Sequence, residues 1–351
     1  MGEPASAEPP GHGPLEHMRV LVIGGTEFIG RRTVELLTDR GDDVLVVHRG
    51  QSEPDPQRGT HLHVDRAHFA SRKAAVTDFS PQAVVDTMAL TAADVDAVLP
   101  HLPDVPIVLL SSMDVYEAWE NILAEGPATV AVPFDEDGPL RTNRYPYRGR
   151  HAGTLDDYDK LDVEPAYLAR QGSALRLGMV YGPHDTQRRE EPVLRRVRAG
   201  RRRIPVGPGN LLLPRLHVDD AASAVLAALD RPEQAAGHAF NIAESRTYPV
   251  NAWIRAVLQA AGHEAELVHV PDATLPPDLR LTRAVEQQFL ASTAKAHIRL
   301  GWRAGDPRDG ITRSTRWHLE NPPTDNDDDF SADDKALETY SPSVESSTRA
   351  S

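Results

Sequence analysis

The 351-residue sequence contains no cysteine. Disulfides, thiolate nucleophiles, iron–sulfur clusters and cysteine-bound zinc are therefore excluded together. Lysine is scarce: only Lys73, Lys160, Lys295 and Lys335 occur, and aromatic residues make up 5% of the chain. No apolar run approaches the roughly 18 residues of a membrane-spanning helix. No charged-then-apolar signal peptide precedes the first strand. These absences predict a soluble, cytoplasmic protein with no membrane partner. Positive charge is in deficit, with a net charge of −14. An acidic body is a poor general nucleic-acid binder, because phosphate contacts need cationic surface.

The length suits one large α/β domain, or a core domain with a smaller lobe, and 40% hydrophobic residues can supply a packed core. Residues 1–17 are rich in Pro and Gly and read as a disordered leader; residues 321–351 hold eight acids against two bases and read as a disordered acidic tail. Between them, apolar runs predict strands at Arg19–Ile23, Val44–Val47, Thr60–Val64, Ala83–Thr87, Pro106–Leu110 and Ser173–Leu177. Helical patterns at Phe28–Arg40, Thr91–Leu99 and Asp156–Arg170 separate them. Strands alternating with helices imply a parallel sheet covered on both faces, a Rossmann-type α/β fold. After Val180 the pattern mixes helices (Asp219–Leu229, Val250–Ala261), short strands (Ala239–Ile242, Leu267–Val270) and Pro-rich loops.

The first strand runs into Gly24-Gly25-Thr26-Glu27-Phe28-Ile29-Gly30 and then a helix. Glycines let backbone approach a pyrophosphate, and free N–H groups at a helix N-terminus hold its charge. Gly24, Thr26, Phe28, Ile29 and Gly30 are the candidate cofactor contacts. Residues 18–182 then read mainly as an NAD(P)-binding domain. Residues 183–320 read mainly as a smaller C-terminal substrate lobe with elements returning to the main sheet. At the end of the second strand stands His48-Arg49-Gly50, without the acid that binds the ribose hydroxyls of NAD. Arg49 is placed to pair with a 2′-phosphate, which favours NADP over NAD.

These residues resemble the extended, atypical short-chain dehydrogenase/reductases, the NAD-dependent epimerase/dehydratase family. Gly24 and Gly30 fit its G-x-x-G-x-x-G pattern, with Glu27 at the middle glycine, so Glu27 has to point away from the pyrophosphate. The resemblance continues through Val64-Asp65-Arg66, Ser111-Ser112-Met113-Asp114-Val115-Tyr116 and Arg176-Leu177-Gly178-Met179-Val180-Tyr181-Gly182-Pro183. It extends to His217-Val218-Asp219-Asp220-Ala221 and Phe240-Asn241-Ile242. It implies an NAD(P)-dependent oxidoreductase or epimerase/dehydratase acting on a small hydroxyl- or carbonyl-bearing metabolite, and is compatible with a homodimer. It also implies adenine contact at Asp65. The family's Ser, Tyr and Lys fall on Ser112, Tyr158 and, two residues past the tyrosine, Lys160. No tyrosine here is followed four residues later by lysine. After Tyr158 that position holds Asp162, whose charge would raise the tyrosine pKa and favour reduction over oxidation. Asp114, Arg144 and Arg215 are the candidate substrate contacts.

A reading of another class stands beside this one: a non-redox dinucleotide-binding sensor, or a nucleic-acid-associated protein. Eight arginines in residues 188–203 would serve that reading; the simpler account is a solvated helix face. His61, His63 and His68 lack the carboxylates that would complete a recognisable metal site, and none is assigned.

Overall fold

Short β-branched runs make strands here because both of their faces are buried. A computed structural model describes residues 17–52, 58–150, 155–325 and 328–339. All but His17 of the expected leader lies outside them. The elements are β1 (Arg19–Ile23), α1 (Phe28–Arg40), β2 (Asp43–His48), β3 (Thr60–His63), α2 (Lys73–Phe79), β4 (Ala83–Asp86), α3 (Ala92–Val98), β5 (Ile107–Ser112), α4 (Glu117–Ala124), α5 (Lys160–Ala169) and β6 (Ser173–Leu177). They continue with β7 (Met179–Tyr181), α6 (Glu191–Arg198), β8 (Arg203–Val206), β9 (Arg215–His217), α7 (Val218–Leu229), α8 (Pro232–Ala235), β10 (Ala239–Ile242), α9 (Val250–Ala260), β11 (Glu266–His269), α10 (Pro307–Glu320) and α11 (Ser331–Thr339).

Seven parallel strands form the main sheet in the order β10-β6-β5-β4-β1-β2-β3. Along β1 the faces alternate: Val20 and Val22 pack into one core with Val34 and Leu37 of α1, while Leu21 and Ile23 pack into another with Phe69 and Val95. The strand order turns back at β1 and β4, which opens a crevice at their C-terminal ends. Register aligns Ile23 with Val47 and with Asp86, so the glycine turn sits between His48 and Thr87.

A third core joins the C-terminal elements. Val193, Leu194, Ile204, Leu213, Trp253 and Ile311 pack there with Met113, Tyr116, Ile122 and Phe134. That core thus draws on the segment after β5 as well as on residues beyond 182. Two parallel strand pairs, β7–β9 and β8–β11, carry its backbone.

The acidic tail departs from its expected disorder. Residues 331–339 form α11, and Ala336 and Leu337 bury against Val268, Val270 and Leu275. The physical reason is charge complementarity with the arginine run. Arg196, fully buried on α6, donates to both oxygens of Asp333 (2.7 and 2.8 Å) and to Asp278 (2.7 and 3.1 Å). A burial of that kind cannot be read from composition, where eight acids look only like solvated charge. We predict that Asp333→Asn costs about 2 kcal/mol of stability, less than a fully orphaned buried cation because Asp278 still pairs with Arg196. Urea denaturation checks this, and a change below about 0.5 kcal/mol would detach α11 from the fold's stability.

Candidate active site at the strand termini

The glycine turn is built for close backbone approach. Gly24 has φ +88°, and a Cβ there would lie 2.4 Å from Thr87 Oγ1. A Cβ on Gly30 would lie 2.0 Å from the Gly24 carbonyl oxygen. Glu27 precedes α1 without capping it, and no acid stands in the first turn. The first helical bond runs from Arg31 N to Glu27 O (3.1 Å), which leaves the Phe28, Ile29 and Gly30 amides outside the ladder. Glu27 is exposed, and its carboxylate accepts from Ser52 Oγ (3.1 Å), which also donates to Thr26 Oγ1 (3.1 Å). A bare helix N-terminus beside Gly24, Gly25 and Gly30 fits a pyrophosphate.

Arg49 is exposed at the end of β2. Asp65 is exposed as well, and its carboxylate caps the following turn by accepting from Ala67 N (2.9 Å). Next to it, Arg66 makes a bidentate pair with Asp86 (2.9 and 2.7 Å), which also accepts from Tyr167 OH (2.5 Å). Burial pushes the Asp86 carboxyl up, but Arg66 and these bonds win and hold it below its usual range. Of the histidines, His61 meets His48 (2.9 Å), and His63 packs edge-on against the same ring.

Asp159 decides where α5 begins. Its side chain accepts from Leu161 N (2.9 Å), capping the helix, and from Tyr145 N (3.0 Å). Arg141 (3.2 Å and a shorter contact) and Arg144 (2.7 Å) also donate to it. Burial opposes the charge, yet these donors hold the Asp159 carboxyl down at about 2. The expected helix from Asp156 therefore starts only at Lys160, and Tyr158 lies before it.

That start places the side chains. Tyr158 is buried, and its hydroxyl donates to Asp114 Oδ2 (2.9 Å). Tyr147, from the segment between α4 and α5, donates to the same oxygen (3.0 Å), and the two rings lie 5.4 Å apart. Asp114 Oδ1 is buried with no hydrogen-bond partner. Burial raises the Asp114 carboxyl. Burial also drives the Tyr158 hydroxyl well above its usual value, with the charge of Asp114 adding to the effect and a hydrogen bond with Ser112 working against it. Ser112, at the end of β5, accepts from Asp114 N (3.1 Å). Lys160 is buried; its Nζ donates to the Ala89 and Leu110 carbonyls (2.6 and 2.8 Å) and lies 5.9 Å from the Tyr158 ring. Burial lowers its ammonium to about 8.

Ser112, Asp114, Tyr158 and Lys160 thus come together, and Tyr147, which no motif marks in the sequence, joins them. Asp162 does not join. It stands in the first turn of α5, paired with Arg144. The four-residue spacing carried no meaning because Tyr158 is outside the helix. Arg144 is likewise engaged by Asp159 and Asp162 rather than held ready for a substrate. Arg215 is buried over the Trp253 ring, at 4.5 Å.

The arginine run is not a bare solvated face. Each of Arg188, Arg189, Arg195, Arg196, Arg198, Arg201, Arg202 and Arg203 lies within 4 Å of a carboxylate. Arg202 and Arg203 stay exposed, 3.8 and 3.7 Å from Glu264 and Glu266.

The model of the NAD dependent epimerase/dehydratase family matches residues 20–102 and 161–243. The chain is 28% identical over 316 residues to a 3-diazoavenalumate denitrifying reductase of a Streptomyces species, covering 84% of this chain and 100% of that protein. It is 27% identical over 340 residues to the chloroplast stem-loop binding protein of 41 kDa b of Arabidopsis thaliana, covering 91% and 84%. Among solved structures it resembles a UDP-glucose 4-epimerase of Stenotrophomonas maltophila with bound NAD and formylated UDP-arabinopyranose. That match has a TM-score of 0.67 and 20% identity, and covers 87% of this chain and 98% of the other.

Asp159 yields a stability prediction. Asp159→Asn leaves the buried Arg141 guanidinium without its carboxylate and should cost about 3 kcal/mol. The folded carboxyl lies near 2, below the unfolded value of about 3.9. Its contribution is therefore present above about pH 4 and lost as pH falls through 2. Urea denaturation between pH 7 and pH 2.5 should show a shallower acid loss in Asp159→Asn than in wild type. Parallel curves would refute the assignment.

Proposed function

The chain belongs to the NAD dependent epimerase/dehydratase family and is an enzyme of it, and from that premise we propose that it reduces a carbonyl group on a small metabolite, using NADP in preference to NAD. The observation that carries this reading is the Asp114–Tyr158 hydrogen bond beside Ser112 and Lys160 at the end of β5. A reduced nicotinamide dinucleotide, when bound, supplies the hydride to the carbonyl carbon. The protein does the rest. The amides of Phe28, Ile29 and Gly30 hold the pyrophosphate, Arg49 pairs with the 2′-phosphate, and Asp65 marks the adenosine end. Ser112 orients the carbonyl oxygen, and Tyr158 gives that oxygen its proton, completing the alcohol. Lys160, held by two backbone carbonyls, sets a positive charge beneath the tyrosine.

The reductive direction follows from electrostatics, through a different acid from the one expected. Asp114, not Asp162, opposes ionisation of Tyr158, after burial itself. A tyrosine kept protonated at neutral pH is a general acid and a poor base for alcohol oxidation. The likeness to a denitrifying reductase supports a reductive role. A nucleic-acid-associated reading has one observation in its favour, the likeness to a stem-loop binding protein. The carboxylate-paired arginine run weighs against it.

Two outcomes are expected. Carbonyl reduction should fall above about pH 8, as Lys160 loses its proton. Lys160→Met should remove that alkaline limb, and Tyr158→Phe should lower kcat by about 10²-fold or more. Steady-state pH–rate profiles check both, and an alkaline limb unchanged in Lys160→Met would refute the role of Lys160. Separately, Gly30→Asp should abolish dinucleotide binding in calorimetry, and Arg49→Ala should weaken NADP about tenfold with NAD nearly unchanged. Equal losses for both cofactors would remove the case for NADP.

A further inference from the structure

Tyr158 must regain a proton after each turnover, and its surroundings restrict where that proton comes from. A substrate lying against the hydroxyl keeps water away from it. Lys160 is buried, and two of its three N–H donors go to the Ala89 and Leu110 carbonyls (2.6 and 2.8 Å). Its ammonium supplies charge near the ring, 5.9 Å away. The Tyr158 hydroxyl itself is bonded to Asp114 Oδ2, at 2.9 Å.

That oxygen has a second donor. Tyr147 OH gives it a hydrogen bond of 3.0 Å, and Trp119 Nε1 on α4 donates to the Tyr147 oxygen at 3.2 Å. An indole N–H is a donor only, so it aims the Tyr147 proton toward Asp114. A proton moved from Tyr147 to Oδ2 already lies within hydrogen-bond reach of the Tyr158 oxygen, with no rotation of the carboxylate. A carboxylate that served only as an anchor would gain most by using both oxygens. Asp114 instead leaves Oδ1 buried and unpartnered. Asp114 and Tyr158 are buried, whereas Tyr147 is partly exposed on the segment between α4 and α5. Burial raises the Asp114 carboxyl against the two hydroxyl bonds and the charges of Arg141 and Lys160, so this group takes up a proton more readily than an ordinary carboxylate.

We propose that Tyr147 and Asp114 form the proton path to Tyr158, with Tyr147 as its outer end and Asp114 Oδ2 as the link. The role in turnover rests on the reductase reading above, but the path is testable without turnover. When Tyr158 has given its proton to the carbonyl oxygen, with hydride from the bound dinucleotide at the carbonyl carbon, it is left as a phenolate. The Tyr147 O–H bond then breaks, and its proton forms an O–H bond at Asp114 Oδ2. That proton passes to the Tyr158 oxygen, which restores the carboxylate. The Tyr147 phenolate takes its replacement from solvent. The carbonyl thus gains one hydride and one solvent proton, and the dinucleotide is oxidised.

The experiment reads hydroxyl exchange at Tyr158, by NMR on the full chain with tyrosine carrying carbon-13 at Cζ. In equal parts of light and heavy water, a slowly exchanging hydroxyl splits its Cζ signal, and a rapidly exchanging one leaves a single line. Tyr158→Phe identifies the signal. Tyr147→Phe keeps the ring and should slow exchange at Tyr158 about tenfold or more. Asp114→Asn, which cannot carry the proton, should do the same, and the other tyrosine signals report that each variant is folded. A Tyr147 with a structural role alone acts the other way, because its loss loosens the segment and admits water. With NADPH and 9,10-phenanthrenequinone or 4-nitrobenzaldehyde as the carbonyl probe, Tyr147→Phe should complete a first turnover at the wild-type rate and then slow about tenfold. Added imidazole should restore the later turnovers. Unchanged or faster exchange in Tyr147→Phe, or a first turnover slowed as much as later ones, overturns the proposal. Slowed exchange in a protein that reduces neither probe supports the proton path and counts against the reductase reading.

Discussion

The candidate site depends on one carboxylate. Asp159 caps α5 and at the same time gathers Arg141, Arg144 and the Tyr145 amide. A helix cannot extend past its cap, so Tyr158 is released from helical geometry and Lys160 becomes the first helical residue. The tyrosine then turns toward Asp114, and the lysine points down between β4 and β5 to the Ala89 and Leu110 carbonyls. The segment that brings Tyr147 to Asp114 is tied by the same acid. One capping interaction thus sets the distances among four groups on three elements.

Buried polar networks hold the elements that carry those groups. Arg176 on β6 makes three bonds to Glu164 on α5 (2.8–3.2 Å) and one to Tyr116 OH (2.9 Å), and Ser111 donates to the same glutamate (2.5 Å). Tyr116 in turn donates to Asn241 on β10 (2.6 Å). The motif residues Ser111, Tyr116, Arg176 and Asn241 are therefore joined by structure rather than by chemistry at a substrate. On the other side of β4, Arg66 and Tyr167 satisfy Asp86 beneath the glycine turn. Satisfied networks of this kind fix a unique geometry; half-satisfied ones point to a missing partner. Asp114 Oδ1 belongs to the second kind.

Much of the fold was legible in local pattern. The strands of the main sheet and α1 follow from apolar runs and from a glycine turn that only small residues can make. The family resemblance rested on motifs that are themselves turn and strand residues, and the site motif at Ser112 and Asp114 came with them. What was not legible depended on counting along the chain where geometry intervened. The spacing from Tyr158 to Asp162 predicts a shared helix face, but a shared face exists only inside one helix. The arginine run and the acidic tail each looked solvated alone; each is the other's partner, across more than 130 residues.

By itself, the sequence determined the order of strands and helices, the cysteine-free chemistry and the place of the glycine turn, because these depend on residues close together in the chain. Tertiary structure alone decided which acid faces Tyr158, where Lys160 points, that α11 is ordered and which carboxylates the arginines meet. Those outcomes turn on competition for a few carboxylates among distant cations, and burial decides it: a charge leaves water only where a partner stands within hydrogen-bond reach.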